Sequence, residues 1–241
     1  EKHRGTYTSQ SDNKKFNREA EEKILLLEKL LASKAKREFN GKIDALWKEI
    51  LLYQFHDILP GSSIKRVYEE TSTAYKRILS ELEELIEEQG YTFIPDRNAM
   101  LVNTENREIT KLMKPADDVW LYYKGDGALI KPIVYEYGNV AVTVDSVVTD
   151  YFNVKIADDG SFSRIELKNG KVIFDSANRL RVYIDRGDAW DFEDDYRDQP
   201  ERYMKLLNSF VRDFGDLVEI RQTYYFGCSR LTQKILIHKK D

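Results

Sequence analysis

Ile24, Leu27, Leu30 and Leu31 recur at spacings of three and four residues, which puts them on one stripe and predicts a helix running from Asn13 to Arg37. Asn40 and Gly41 break it. Ile43, Trp47, Ile50 and Leu51 form a second apolar face, and Pro60 with Gly61 is expected to end that helix, because proline lacks the amide donor and clashes one turn back. Val67, Tyr68, Tyr75, Leu79, Leu82 and Ile86 form a third face, opened by Ser62 or Ser63 as N-cap and closed by Gly90. Three amphipathic helices with short connections predict a three-helix bundle over residues 12–90.

Beyond Gly90 the period changes to short β-rich runs separated by turn residues: Val119 to Tyr123, Leu129 to Tyr137, Val140 to Val144 and Phe152 to Ile156. Phe162 to Leu167, Asn169, Gly170 and Val172 to Phe174 predict a hairpin, since an Asn-Gly pair supplies the positive φ angles of a tight turn. Val218 to Tyr225 and Leu231 to Ile237 continue the series. Such spacing predicts an antiparallel β-sandwich over residues 91–241, partly truncated because the sequence stops directly after a strand, and an α+β multidomain chain as a whole.

Composition sharpens this division. Pro60 is the one proline between residues 12 and 89, while four of the five prolines and eight of the twelve glycines lie beyond residue 90. The 241 residues are 41% hydrophobic, enough to bury a core. A net charge of −4 supplies no basic excess for a phosphate backbone, so nucleic acid is not an expected partner. The single cysteine, Cys228, excludes a disulfide framework and fits a reducing compartment. No apolar run reaches the roughly 18 residues of a membrane span. Glu1 to Arg4 is no signal peptide, and Arg4 to Ser9 reads like the inside of a chain, so a fragment of a longer protein is expected.

Candidate chemistry is sparse. The three histidines, His3, His56 and His238, fall at no helical metal-ligand spacing. His56 and Asp57 put an imidazole beside a carboxylate at a helix end, where the backbone can turn both toward one ligand; a plain helix junction would look the same. Residues 186–192, with Gly187, Trp190 and Asp191, combine an aromatic with carboxylates as a sugar subsite does, and equally as an ordinary acidic loop does. The acidic run from Asp185 to Asp195 misses the spacing of a calcium loop.

The stretches from His3 to Gln10 (HRGTYTSQ), Asn17-Arg18, Trp47 and Gln54 to Ile64 (QFHDILPGSSI) strongly resemble α-mannosidases of glycoside hydrolase family 38, nearest the vacuolar and cytosolic branch. Asn178 to Leu180 and Gly187 to Asp191 fit more loosely. The resemblance implies a retaining exo-α-mannosidase acting on α-mannoside oligosaccharides, with one divalent ion, usually zinc, at the floor of the sugar pocket. A metal chelating sugar hydroxyls can pin a distorted ring and stabilise an oxocarbenium-like transition state. By that resemblance His56 is a metal ligand and Asp57 accepts sugar hydroxyl hydrogens, while His3, Tyr7, Trp190 and Asp191 line the pocket. Residues 1–11 would then end a catalytic domain, residues 12–90 form a middle domain and residues 91–241 begin a C-terminal β-region. The nucleophile, the general acid and the other metal ligands are expected in an N-terminal catalytic domain outside this sequence, which leaves no catalytic residue here and makes the isolated piece inactive and unable to hold zinc alone. A cytoplasmic location and a homo-oligomer are compatible with it. The alternative is a non-catalytic carbohydrate-binding or structural module.

Overall fold

A computed structural model describes residues 3–93, 96–105, 107–136, 145–187 and 189–241. Three α-helices come first: α1 (Ser11–Ser33), α2 (Asn40–Tyr53) and α3 (Lys65–Glu87). Strands follow: β1 (Leu101–Val102), β2 (Ile109–Ala116), β3 (Val119–Gly125), β4 (Leu129–Ile130), β5 (Ile133–Glu136), β6 (Ser146–Val148), β7 (Phe152–Ile156), β8 (Phe162–Leu167), β9 (Val172–Phe174), β10 (Lys205–Asp213), β11 (Leu217–Phe226) and β12 (Ser229–His238). The chain is therefore α+β, three helices and then antiparallel sheets. It divides into two compact units, residues 1–95, 102–106 and 184–197 in one and the remainder in the other.

In the first unit the apolar stripes meet in one core, with Ile24, Leu27, Ile50, Tyr75, Ile78 and Leu82 fully buried, but Leu51, expected on the second stripe, is 55% exposed. Tyr75 and Lys23 find polar partners within it. The Tyr75 hydroxyl donates to Asn17 Oδ1 at 2.9 Å, and its burial pushes the phenol pKa well above the usual value. Lys23 donates to Glu19 at 2.7 Å and to Glu83, tying α1 to α3. Burial pulls its pKa down, but the two carboxylates outweigh that and hold the ammonium charged.

Three helix ends differ from the expectation. The second helix stops at Tyr53, well before Pro60, because the Gln54 side chain is drawn away to Asn17 Oδ1 (3.1 Å) and Glu21 Oε1 (2.8 Å) on α1. Neither Ser62 nor Ser63 caps α3, whose N-cap is Ile64 without a side-chain bond; the Ser62 hydroxyl points back to the Asp57 carbonyl and the Ser63 amide donates to the Tyr68 hydroxyl. The first helix also ends at Ser33, four residues short of Arg37.

In the second unit β2-β3-β5, β6-β7-β8-β9 and β10-β11-β12 are antiparallel sheets. Val147 and Val154 share a core with Val218, Ile220 and Ile237, so the sheet of β6 to β9 is layered on that of β10 to β12. The β8–β9 hairpin forms as expected, but positive φ falls on Gly170 alone; Asn169 instead accepts the Lys171 amide at 3.0 Å, giving a three-residue turn in place of the two-residue one. The run Leu129 to Tyr137 is split into β4 and β5, and Tyr137 and the run Val140 to Val144 lie outside the described residues.

Buried charge is concentrated on β11. Glu219 is wholly buried, accepting from Trp120 Nε1 at 2.8 Å, from Lys114 Nζ at 3.0 Å and from Arg221 Nε. Burial alone would push its carboxyl up, but these donors outweigh it and hold the pKa below the usual carboxylate value.

Candidate functional site

The loop between α2 and α3 carries His56 and Asp57. Amides of Ile58 and Leu59 both bond the Phe55 carbonyl, at 2.8 and 3.0 Å, a tight turn that swings the intervening side chains outward. The His56 side chain is 75% exposed and that of Asp57 50%, with Nε2 and Oδ2 3.5 Å apart. Phe55 lies against the imidazole with ring centroids 4.1 Å apart.

This outward presentation is held from behind by neighbouring helices. From α1, Asn13 Nδ2 donates to the Ile58 carbonyl at 3.0 Å and Lys14 Nζ to the Pro60 carbonyl at 3.0 Å. From α3, the Tyr68 hydroxyl lies 3.2 Å from the carbonyls of Asp57 and Ile58 while accepting the Ser63 amide at 2.8 Å. Gly61 has φ +104°, and a Cβ there would come within 2.7 Å of Ser9 Cβ, so only glycine lets the loop approach the segment before α1.

That segment, a short 3₁₀ turn at Arg4–Tyr7, organises a second group. His3 Nδ1 stands 3.0 Å from Asp191 Oδ2, and its ring meets Trp190 edge-on at 5.4 Å. The Gly5 amide donates to the Trp190 carbonyl at 2.9 Å. The Ser9 hydroxyl is 3.0 Å from both the Gly5 and Ala189 carbonyls. Arg4 Nη1 donates to the Tyr196 hydroxyl at 3.3 Å, and Arg197 also donates to it; together these cations lower the phenol pKa. Tyr7 is 64% exposed.

The candidate residues thus fall into two groups. His3, Trp190 and Asp191 touch one another, and His56 lies beside Asp57. Both groups are tied to residues 3–10, the first directly and the second through Ser9, Lys14 and Gly61. The supporting side chains, Asn13, Lys14, Gln54 and Tyr68, were not singled out by residue type. The one usable hint was that Asn13 and Lys14 open α1 without an apolar reason to be there.

Among the described residues no group of three or more His, Cys, Asp or Glu side chains stands together to hold a metal. His56 and Asp57 offer two donors at most, short of the four a structural zinc needs. The residues present do not fit a complete metal site. Nor is any helix among the described residues long and apolar enough to cross a membrane.

Residues 1–92 match the family described as alpha mannosidase middle domain. Over 90 residues the chain is 40% identical to Alpha-mannosidase G of Dictyostelium discoideum, covering 36% of this chain and 8% of that protein. It is 46% identical over 72 residues to the Alpha-mannosidase of Saccharomyces cerevisiae, which is 27% of this chain and 7% of that protein. It is 42% identical over 86 residues to human Alpha-mannosidase 2C1, covering 33% of this chain and 8% of that protein. A solved structure, that of an alpha-mannosidase from Enterococcus faecalis V583, aligns with a TM-score of 0.58 and 12% identity over 96% of this chain and 40% of that one, a likeness of fold. The class of protein is thus homologous to glycosidases. The family match is confined to residues 1–92, and the matched stretches span less than a tenth of the curated relatives.

Proposed function

We propose that the chain is part of a retaining, metal-dependent exo-α-mannosidase that releases terminal α-linked mannose from oligosaccharides, and that it works in the cytoplasm. The observation that carries this is the coincidence of the middle-domain match with the outward presentation of His56 and Asp57 on a loop held by bonds from α1 and α3. A rigid loop with a solvent-facing imidazole and carboxylate is suited to complete a site whose other members lie elsewhere.

In this reading His56 donates one nitrogen to a divalent ion, zinc in the first instance, whose other ligands come from a catalytic domain of the same polypeptide. Asp57 accepts sugar hydroxyl hydrogens. Asp191, oriented by His3, and Trp190 present a carboxylate and an apolar face to a sugar ring, and Tyr7 adds a phenol at the rim. The nucleophile and general acid of a retaining glycosidase, two carboxylates about 5–5.5 Å apart, belong to that catalytic domain. Leu51, Leu52, Phe55 and Ile64, all half or more exposed and flanking His56 in sequence, supply the apolar surface on which such a domain would seat.

The test is release of mannose from an aryl α-mannoside, with zinc measured by elemental analysis, for the full-length protein and for residues 1–241 alone. The expected result is activity and stoichiometric zinc in the former and neither in the latter. Full activity and full zinc content in the full-length His56→Ala variant would overturn the assignment.

A further inference from the structure

The Lys14 ammonium sits in an unusual place. It lies in the first turns of α1, where the helix dipole disfavours a cation, and its partners are two neutral carbonyls, Ser9 on one side and Pro60 on the other. Partial burial pulls its pKa below the usual value, so the position is costly for the charge it holds. A lysine serving only solubility would reach into water instead.

Its two acceptors belong to different segments of the site. Pro60 precedes Gly61 in the loop that presents His56 and Asp57. Ser9 ends the segment that holds His3 and Tyr7, and its hydroxyl reaches the Ala189 carbonyl, next to Trp190 and Asp191. The Gly61 backbone packs directly on Ser9 at the same point. The ammonium thus bridges the Ser9 and Pro60 segments directly, and the Ser9 hydroxyl extends the link to Ala189.

We infer that Lys14 is a positioning residue that sets the register between the loop bearing His56 and Asp57 and the segments bearing His3, Trp190 and Asp191. The functional consequence rests on the α-mannosidase reading above, whereas the structural coupling does not. Charge-assisted bonds to backbone carbonyls fix main chain rather than side chain, so loss of the bridge loosens the backbone of both segments.

The test compares Lys14→Met, Lys14→Arg and Ser9→Ala in the full-length protein by hydrogen exchange and by steady-state kinetics. Lys14→Met is expected to speed amide exchange by about ten-fold in residues 3–9 and 56–61 together. Ser9→Ala, which keeps both carbonyls that Lys14 contacts, is expected to loosen the Ala189 to Asp191 stretch but leave 56–61 unchanged. In kinetics Lys14→Met is expected to lower kcat/KM by about ten-fold with zinc content unchanged, and Lys14→Arg to restore most of it. Exchange that rises in one segment alone, or in none, overturns the inference. If Lys14→Met does not accumulate, Lys14→Gln, able to keep one of the two bonds, must show the same paired loosening to a smaller degree. If the full-length protein lacks mannosidase activity, the functional reading fails and the exchange comparison alone decides the coupling.

Discussion

The Nδ1 atom of His3 stands 3.0 Å from Oδ2 of Asp191, a carboxylate 188 positions further along the chain. Both side chains are about half exposed, so this contact orients more than it stabilises. His3→Gln is expected to cost no more than about 1 kcal/mol of stability while speeding exchange in the peptide from Ala189 to Asp195. Thermal melts and exchange mass spectrometry measure the two effects separately. A large loss of stability would show that the pair is structural.

His56 and Asp57 behave in the opposite sense from core residues. Because both project into solvent from a loop secured by other groups, His56→Ala and Asp57→Asn are expected to change stability by no more than about 0.5 kcal/mol. On the proposed α-mannosidase function, the same changes in the full-length protein are expected to abolish mannose release. Circular dichroism melts run beside the kinetic assay separate loss of function from loss of fold.

Gly61 cannot accept a side chain without moving Ser9. Gly61→Ala meets both a positive φ and a contact of 2.7 Å, and is expected to destabilise the protein by about 1–3 kcal/mol. Urea denaturation gives the value directly; a neutral effect would mean that the loop and the Ser9 segment separate freely.

Glu219 makes the β unit acid-sensitive. Its folded pKa is depressed below the usual 4.5, so its ion-pair stabilisation is present above that value and is lost as pH falls through the folded value. Removing the charge leaves Lys114 and Arg221 only the exposed carboxylate of Asp117, and Glu219→Gln is expected to cost about 3–5 kcal/mol at neutral pH. Below pH 4.5 the variant's melting temperature should fall less steeply than that of the parent.

His238 adds a second pH dependence nearer neutrality. Its Nε2 lies 2.8 Å from the Tyr135 hydroxyl, its ring stacks on Tyr122 at 4.7 Å, and the Lys240 amide donates to Nδ1 at 3.3 Å. Burial lowers its pKa from the usual 6.5, with Lys124 and Lys240 adding to the effect and Asp216 opposing it. The unfolded chain therefore takes up a proton first, and stability present above pH 6.5 declines as pH falls through the folded value. His238→Gln should flatten the melting profile just below pH 6.5, which differential scanning calorimetry resolves.

Much of the framework was readable along the chain. The spacing of Ile24, Leu27, Leu30 and Leu31, and of Tyr75, Leu79, Leu82 and Ile86, places those side chains in the core where the structure has them, because helical periodicity is a local property of an amphipathic segment. The strand runs around Val119, Phe152, Phe162 and Leu231 were legible for the same reason. Helix ends were less so. The second helix stops at Tyr53 because Gln54 finds Asn17 and Glu21 on another helix, and no rule about Pro60 contains that information.

Residue type and order were enough to set His56 beside Asp57 at a break between helices and to make the chain helical first and β-rich afterwards. Chain routing alone decided that His3 meets Trp190 and Asp191, that Lys14 holds the Ser9 and Pro60 carbonyls, and that Glu219 is buried among Lys114, Trp120 and Arg221. Local patterns fix which face of a segment seeks the core; which distant polar groups then satisfy one another depends on how whole segments pack, since a buried donor or carboxylate takes the partner that packing brings within reach.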